Sequence, residues 1–281
     1  MKIAISAEST IDLSKEILKE YNIETLPFSV ILGDKEFLDG EISSKEIFDY
    51  VSKNKVLPKT SAVNESQYEE HFRKLLKVYD AVIHISLSSE ISSAFQNARR
   101  VADRFDNIYV IDSQSLSTGI ALLAIYARSL AEQGEKPEII YDKVRVRTGS
   151  VQASFVIERL DYLYKGGRCS ALAYFGANLL NLRPQIIVKD GKMGAYKKYR
   201  GNMQKVVSSY CEDTLKEFSN PDLSVAFVTY TTATEEMEKI AKEALEKRGF
   251  KKIYVTRAGG TISSHCGEHT LGILYINDGM K

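Results

Sequence analysis

The stretch DAVIHISLSSEISSAFQNA, residues 80–98, decides the fold. Val82, Ile83, Ile85 and Leu87 make a short apolar run around His84. Hydroxyls follow at Ser86, Ser88, Ser89, Ser92 and Ser93, and a helical pattern then opens with Ile91, Phe95 and Ala98 on one face. This succession reads as strand, polar turn, helix. Free N–H groups at a helix start suit one anionic group. The same serines also read as a cap, with Ser88 or Ser89 closing the helix start and the others as turn residues.

Outward from this stretch, composition bounds the partners. With 281 residues, 44% of them hydrophobic, the chain can bury a sizeable core in one large domain or two modest ones. Its 38 basic and 37 acidic residues nearly cancel, which disfavours nucleic acid as the main partner. No run approaches the roughly 20 apolar residues that span a bilayer. The N-terminal MKIAISAEST reads as a first strand rather than a signal peptide. Cys169, Cys211 and Cys266 are an odd number at irregular spacing, so a disulfide framework is not expected and the cytoplasm is.

Taken in order, residues 2–6 read as a buried strand and residues 7–12 as a polar turn. Asp12 or Ser14 caps a helix to about Tyr21. Residues 25–32 are a second strand, Gly33-Asp34 a turn, and Ser43 with Glu46 a capping box. Residues 57–64, with Thr60 and Ser61, are irregular, and a helix follows over 65–78. Residues 107–111 are a strand ending in a second hydroxyl-rich turn at 115–118, residues 119–133 an apolar helix, and Pro137 starts another. Strands alternating with helices imply a largely parallel sheet with helices on both faces. In such sheets the turns at 7–12, 86–93 and 112–117 can gather along one edge, where ligands bind.

From about Val151 the rhythm changes. Residues 152–157 read as a strand, 160–164 as a short helix ending in Gly166-Gly167, and 171–180 as an apolar helix. Residues 184–189 and 192–200 are strands joined at Asp190-Gly191, a hairpin signal. A helix to about Glu217, a strand at 223–229, a helix at 234–247 and a strand at 251–256 follow. A tail rich in Gly, Ser and His then leads to the apolar residues 271–276. The expected architecture is two α/β domains, 1–150 and 151–281.

The familiar chemical motifs are missing. Neither G-x-x-x-x-G-K-[ST] nor G-x-G-x-x-G occurs, which disfavours kinase and dinucleotide chemistry. There is no G-x-S-x-G elbow and no cysteine pair at zinc spacing. His265-Cys266-Gly267-Glu268-His269 places two histidines on one face if helical, but Cys266 stands where a zinc protease has its base and Gly267 weakens the helix. A metal ligand pair and a single polar contact by His265 are both open on these residues. Gly166-Gly167-Arg168 reads as a helix end with a solvated arginine, and Arg200 as a solvated strand end.

Seven runs in order along the whole chain resemble the DegV family of bacterial lipid-binding proteins. Ala7-Glu8-Ser9-Thr10 is similar to the family's D-S-T turn, and Lys59-Thr60-Ser61 to its T-S-Q-P turn. Ser88-Ser89-Glu90-Ile91-Ser92 is similar to S-S-x-(L/I)-S, and Ile111-Asp112-Ser113 to I-D-S. Leu163-Tyr164-Lys165-Gly166-Gly167-Arg168 is similar to L-x-K-G-G-R. Asn178-Leu179-Leu180 with Arg183-Pro184 is similar to N-L-L-K-I-K-P, and Ser264-His265-Cys266-Gly267 to H-x-G-x-G. The chain departs from these patterns at Glu8, Ala62-Val63, Ser93-Ala94 and Glu268-His269. The resemblance implies a long-chain fatty acid held between two domains, with no metal, no other cofactor and no catalysis by the chain alone. By motif position, Thr60, Ser92 and His265 contact the carboxylate. Arg168 and Arg200 face a partner, a fatty acid kinase catalytic subunit that phosphorylates the bound carboxylate. A Ser/His lipid hydrolase and a lipid-responsive sensor or adaptor are the alternatives. The hydrolase needs an activated serine and an oxyanion hole that the sequence does not specify.

Overall fold

Chain order gives β1 (Ile3–Glu8), α1 (Lys15–Glu20), β2 (Ile23–Leu26), β3 (Ser29–Leu32), β4 (Lys35–Leu38), α2 (Ser44–Asn54), β5 (Lys59–Ser61), α3 (Glu65–Leu75) and β6 (Ala81–Ser86). Then come α4 (Ala94–Ala102), β7 (Ile108–Asp112), α5 (Thr118–Glu132), α6 (Pro137–Arg147), β8 (Val151–Val156) and α7 (Asp161–Lys165). The chain closes with β9 (Leu182–Lys189), β10 (Lys192–Arg200), α8 (Met203–Glu217), β11 (Val225–Tyr230), α9 (Glu235–Arg248), β12 (Lys252–Arg257), α10 (Gly260–Cys266) and β13 (Leu271–Ile276). The structure, a computed structural model, describes residues 1–169 and 182–279. The apolar helix expected over 171–180, with Asn178-Leu179-Leu180, lies outside the described residues.

The first sheet is parallel, in the order β2-β1-β6-β7. Its two central strands, β1 and β6, are buried at every position, as a sheet covered on both faces requires. The second sheet is mixed, in the order β10-β9-β8-β13-β11-β12, and only β11 and β12 run parallel. Its hairpin turns at Asp190-Gly191, both with positive φ, the backbone of a type I′ turn.

Between the two sheets lies α5. It packs on β1 and β6 from one side and on β8, β11 and β13 from the other. This placement explains why the helix is apolar almost all round: both of its faces are interior. One continuous core therefore runs from Ile5 and Ile83 through Leu123 to Phe155 and Leu274. A separate core lies under α8 and α9.

The expected single strand over 25–32 is two. Pro27 lacks the N–H that a continuing ladder needs, and the chain leaves the parallel sheet there. It starts a three-stranded antiparallel sheet, β4-β3-β5, with a small core of its own against α2. That sheet takes in Lys59–Ser61, read from sequence as irregular. The helix after β6 also begins later than expected, at Ala94 rather than after Ser88 or Ser89. Ser92 supplies the local acceptor, its Oγ taking the Ala94 amide at 3.2 Å, while Ser88 donates to the Gly191 carbonyl at 2.8 Å. The capping role expected of Ser88 or Ser89 is thus corrected.

Candidate functional site

Parallel pairing ends β1, β6 and β7 at one edge, so their three polar turns meet there. The Ser88 amide donates to the Ser115 carbonyl at 3.0 Å, and the Ser113 amide to the Ser86 carbonyl at 3.1 Å. Ser117 donates to Asp12 Oδ2 at 2.5 Å. Behind the turns, Glu8 is fully buried at the last position of β1. Its carboxylate accepts from Tyr68 (2.5 Å), Ser86 (2.7 Å), the Leu87 amide (2.9 Å) and His84 Nε2 (3.0 Å). Burial alone would push this carboxyl up; His84 and the hydroxyl donors more than offset it and hold it below the usual range. A carboxylate so satisfied anchors the start of the 87–93 loop.

In front of that loop is a cavity of about 270 Å³. Thr60, Ser61, Ser92, Thr261 and His265 supply its polar wall; Phe28, Leu87, Ile91, Leu116, Leu163, Met193 and Ile262 supply much of the rest. A smaller apolar pocket shares Leu116, Ile262 and Cys266 with it and reaches Phe155 and Leu274. The walls come from both sheets' surroundings, so the cavity lies between the two halves of the chain.

The structure brings Thr60, Ser92 and His265 to this one cavity. Thr60 Oγ1 and His265 Nε2 are hydrogen-bonded at 2.8 Å across 205 positions of sequence. Burial, with the Arg168 charge added, pushes the imidazole down to about 4, so it is neutral at pH 7. Its Nδ1 has no hydrogen-bond partner among the described residues and looks at Gly166, where a Cβ would stand 2.8 Å away. Gly166 therefore does more than end α7: only a glycine lets the helix end approach this ring. Ser92 receives the Ala94 amide on its oxygen and keeps its own O–H to donate. The imidazole bonds Thr60, and no Ser92–His265 hydrogen bond forms.

Arg168 lines the cavity, exposed, with one N–H on the Gly166 carbonyl at 2.5 Å. Arg200 ends β10 opposite Leu182, exposed and away from the cavity lining. The two histidines of the 265–269 run do not share a helix face. α10 stops at Cys266, and Gly267 turns the chain at φ 77°. His269 faces Glu158 instead, at 3.7 Å. Among the described residues no cluster of His, Cys, Asp and Glu could hold a metal ion, and no helix is long and apolar enough to cross a membrane. All three cysteines are buried without a disulfide.

Sequence reasoning missed Asp12, Asp39 and Thr261. Asp39 Oδ1 accepts the Gly260 amide at 2.7 Å, and Asp12 Oδ1 the Gly259 amide at 2.8 Å. Thr261 Oγ1 is buried at the cavity wall without a hydrogen-bond partner among the described residues. Nothing local marks the two aspartates for this role, because the α10 amides they hold lie more than 200 positions away.

Fold and site together define an α/β protein of two sheets around a shared helix, with an amphipathic chamber between its halves. The chain belongs to the DegV family: the family model described as uncharacterised protein, DegV family, matches residues 2–278. A DegV domain-containing protein of Caldanaerobacter subterraneus is 28% identical over 278 residues, 98% of each chain. The crystal structure of DegV from Bacillus subtilis, a fatty acid binding protein, matches with a TM-score of 0.86 at 29% identity, over 99% of this chain and 100% of that one. The Streptococcus pneumoniae Fatty Acid Kinase (Fak) B3 protein, loaded with linoleic acid, matches with a TM-score of 0.85 over 99% and 100% of the two chains. At 19% identity that likeness is one of fold.

Proposed function

We propose that this protein binds one long-chain fatty acid in the chamber, between units 1–150 and 151–281. Thr60, Ser92 and His265 hold the carboxylate. The observation that carries this reading is the Thr60–His265 pair beside Ser92, forming the polar end of an otherwise largely apolar cavity. The fatty acid binding of the B. subtilis relative supports it. Burying a 16-carbon tail contributes about 10 kcal/mol gross, at ~0.8 kcal/mol per CH₂, against the costs of association. A buried carboxylate needs donors: Ser92 keeps its O–H to give, and Thr60 has one to give when the single N–H of the neutral imidazole sits on Nε2 and donates to the Thr60 oxygen.

The sequence has no phosphate-cradling loop, so a phosphoryl donor for the carboxylate has to arrive with a partner. We assign that partner as a fatty acid kinase catalytic subunit, with Arg168 at the chamber mouth and Arg200 on the outer strand orienting it. Native mass spectrometry of the purified protein, followed by organic extraction, tests the binding. One acyl chain per protein is expected, and less than a tenth of the protein carrying any would sink the reading. Thr60→Ala and Ser92→Ala should each weaken fatty acid binding by about 1–2 kcal/mol with the fold kept. Arg168→Ala and Arg200→Ala should leave fatty acid binding within about twofold, yet lower acyl-phosphate formation by a supplied kinase more than about tenfold.

A further inference from the structure

The helix that carries His265, α10, is held at its start by the other half of the chain. Asp39 follows β4 and is buried. Its Oδ1 accepts the Gly260 amide at 2.7 Å; its Oδ2 accepts the Thr261 amide at 3.3 Å and the Ser9 hydroxyl at 3.0 Å. Asp12 takes the Gly259 amide beside it at 2.8 Å. Both carboxylates crowd one spot: a Cβ on Gly259 would lie 3.0 Å from Asp39 Oδ1 and 3.2 Å from Asp12 Oδ1. A Cβ on Gly260 would meet Asp39 Oδ1 at 3.2 Å and Val30 Cγ2 at 3.1 Å. Three successive amides at the start of one short helix are therefore fixed by carboxylates from the other half, in a space that glycine fits without displacement.

We propose that Asp39, with Asp12 beside it, is the positioning residue of the carboxylate site: it fixes the start of α10 and so sets His265 against Thr60. The distance involved is short. His265 lies about one and a half turns beyond Gly260, on a helix of only seven residues. A shift of its first turn would move the imidazole with it, and Ser44, hydrogen-bonded to Ser263 at 2.8 Å, holds the middle of the same helix from the same half. Asp39 lines no part of the cavity itself and reaches it through α10, which carries the lining residues Thr261, Ile262 and His265. The inference deepens the fatty-acid reading and rests on it for the ligand, though not for the geometry.

The test uses the full chain, Asp39→Asn and His265→Ala, alone and combined, with palmitate and its methyl ester as probes. The carboxamide that Asp39→Asn introduces accepts through one oxygen only, so one of the two helix amides loses its acceptor. Palmitate affinity should fall more than fivefold in Asp39→Asn, and the ester's by less than twofold. In the His265→Ala background the Asp39→Asn effect on palmitate should vanish, as coupled residues require. The ¹⁵N resonances of the His265 ring, read without any ligand, should move in Asp39→Asn. Equal losses for both probes, full additivity with His265→Ala, or unmoved ring resonances would overturn the assignment. If Asp39→Asn does not fold, Gly260→Ala disturbs the same contact from the other side and is read by the same measures. Should the unaltered protein bind neither probe, the fatty-acid reading fails while the ring resonances still decide the positioning role.

Discussion

Two of the contacts that join the halves of the molecule around the chamber are built from different materials. At the start of α10, buried carboxylates hold backbone amides at 2.7–2.8 Å. At the β9–β10 turn, Ser88 donates to the Gly191 carbonyl, and Lys192 pairs with Glu90 at 3.2 Å with their side chains 69% and 47% exposed. The amide on the buried Asp39 carboxylate makes a charge-assisted bond with no water to replace it, and Asp12 adds a buried acceptor beside it. An exposed ion pair trades one solvated state for another and adds little. The first contact is the stronger hold on the two halves, and the ion pair of the second the weaker.

The largest effect should come from crowding the fixed contact. Gly260→Val would drive a branched side chain into Asp39 Oδ1, Val30 and Ile47, whose atoms a Cβ already meets at 3.1–3.3 Å. Urea unfolding should show a loss of about 1–3 kcal/mol. A loss below that range would mean that the helix start can shift, and the contrast between the two contacts would weaken.

An intermediate effect is set by pH. Burial above all, with the Asp39 charge adding, pushes Asp12 from 3.8 up to about 8, although the Ser117 hydroxyl and the Gly259 amide pull it down. The folded state thus holds this proton more tightly than the unfolded chain. Its stabilisation is complete below about pH 4 and is lost as pH rises through about 8. Asp12→Asn copies the protonated acid, accepting from Gly259 and donating to Ser117, and does not titrate. The melting temperature of Asp12→Asn minus that of the wild type should therefore grow between pH 5 and pH 9, by ~3–6 °C. A gap that stays flat with pH would show that Asp12 does not titrate in this window.

The smallest effect belongs to the exposed contact. Glu90→Ala should change unfolding stability by less than about 1 kcal/mol. Amide exchange over residues 188–194 should nevertheless quicken several-fold, with residues 259–266 unchanged. If both segments quicken together, the two contacts open as one and the comparison is broken.

Local physics made much of the architecture legible in advance. Glycine and asparagine or aspartate at turns, the Ser43–Glu46 capping box and the Asp190-Gly191 hairpin all depend on neighbours in sequence, and all are present. The failures are equally physical. The strand read over 25–32 was broken by Pro27, whose missing N–H outweighs an apolar run. Residues 59–61 became a strand only because β3 offered a free edge. The histidine pair at 265 and 269 was separated by a glycine with positive φ.

What the sequence by itself determined was the alternation of strands and helices, the three polar turns that follow strands of the first half, and the residue types at the chamber: two hydroxyls and an imidazole at motif positions. The alternation and the turns follow from periodicity and from side-chain chemistry, which act over a few residues, and the chamber residues were picked out by the family motifs they resemble. The tertiary structure alone decided that Thr60 and His265 share a hydrogen bond, that α5 is apolar all round because a sheet lies on each side of it, and that Asp12 and Asp39 grip the start of α10. Each of these joins residues about 20 to 250 positions apart, and no local propensity reaches so far. Only the packing of the two sheets against one helix brings such groups within about 3 Å, where a hydrogen bond has its strength.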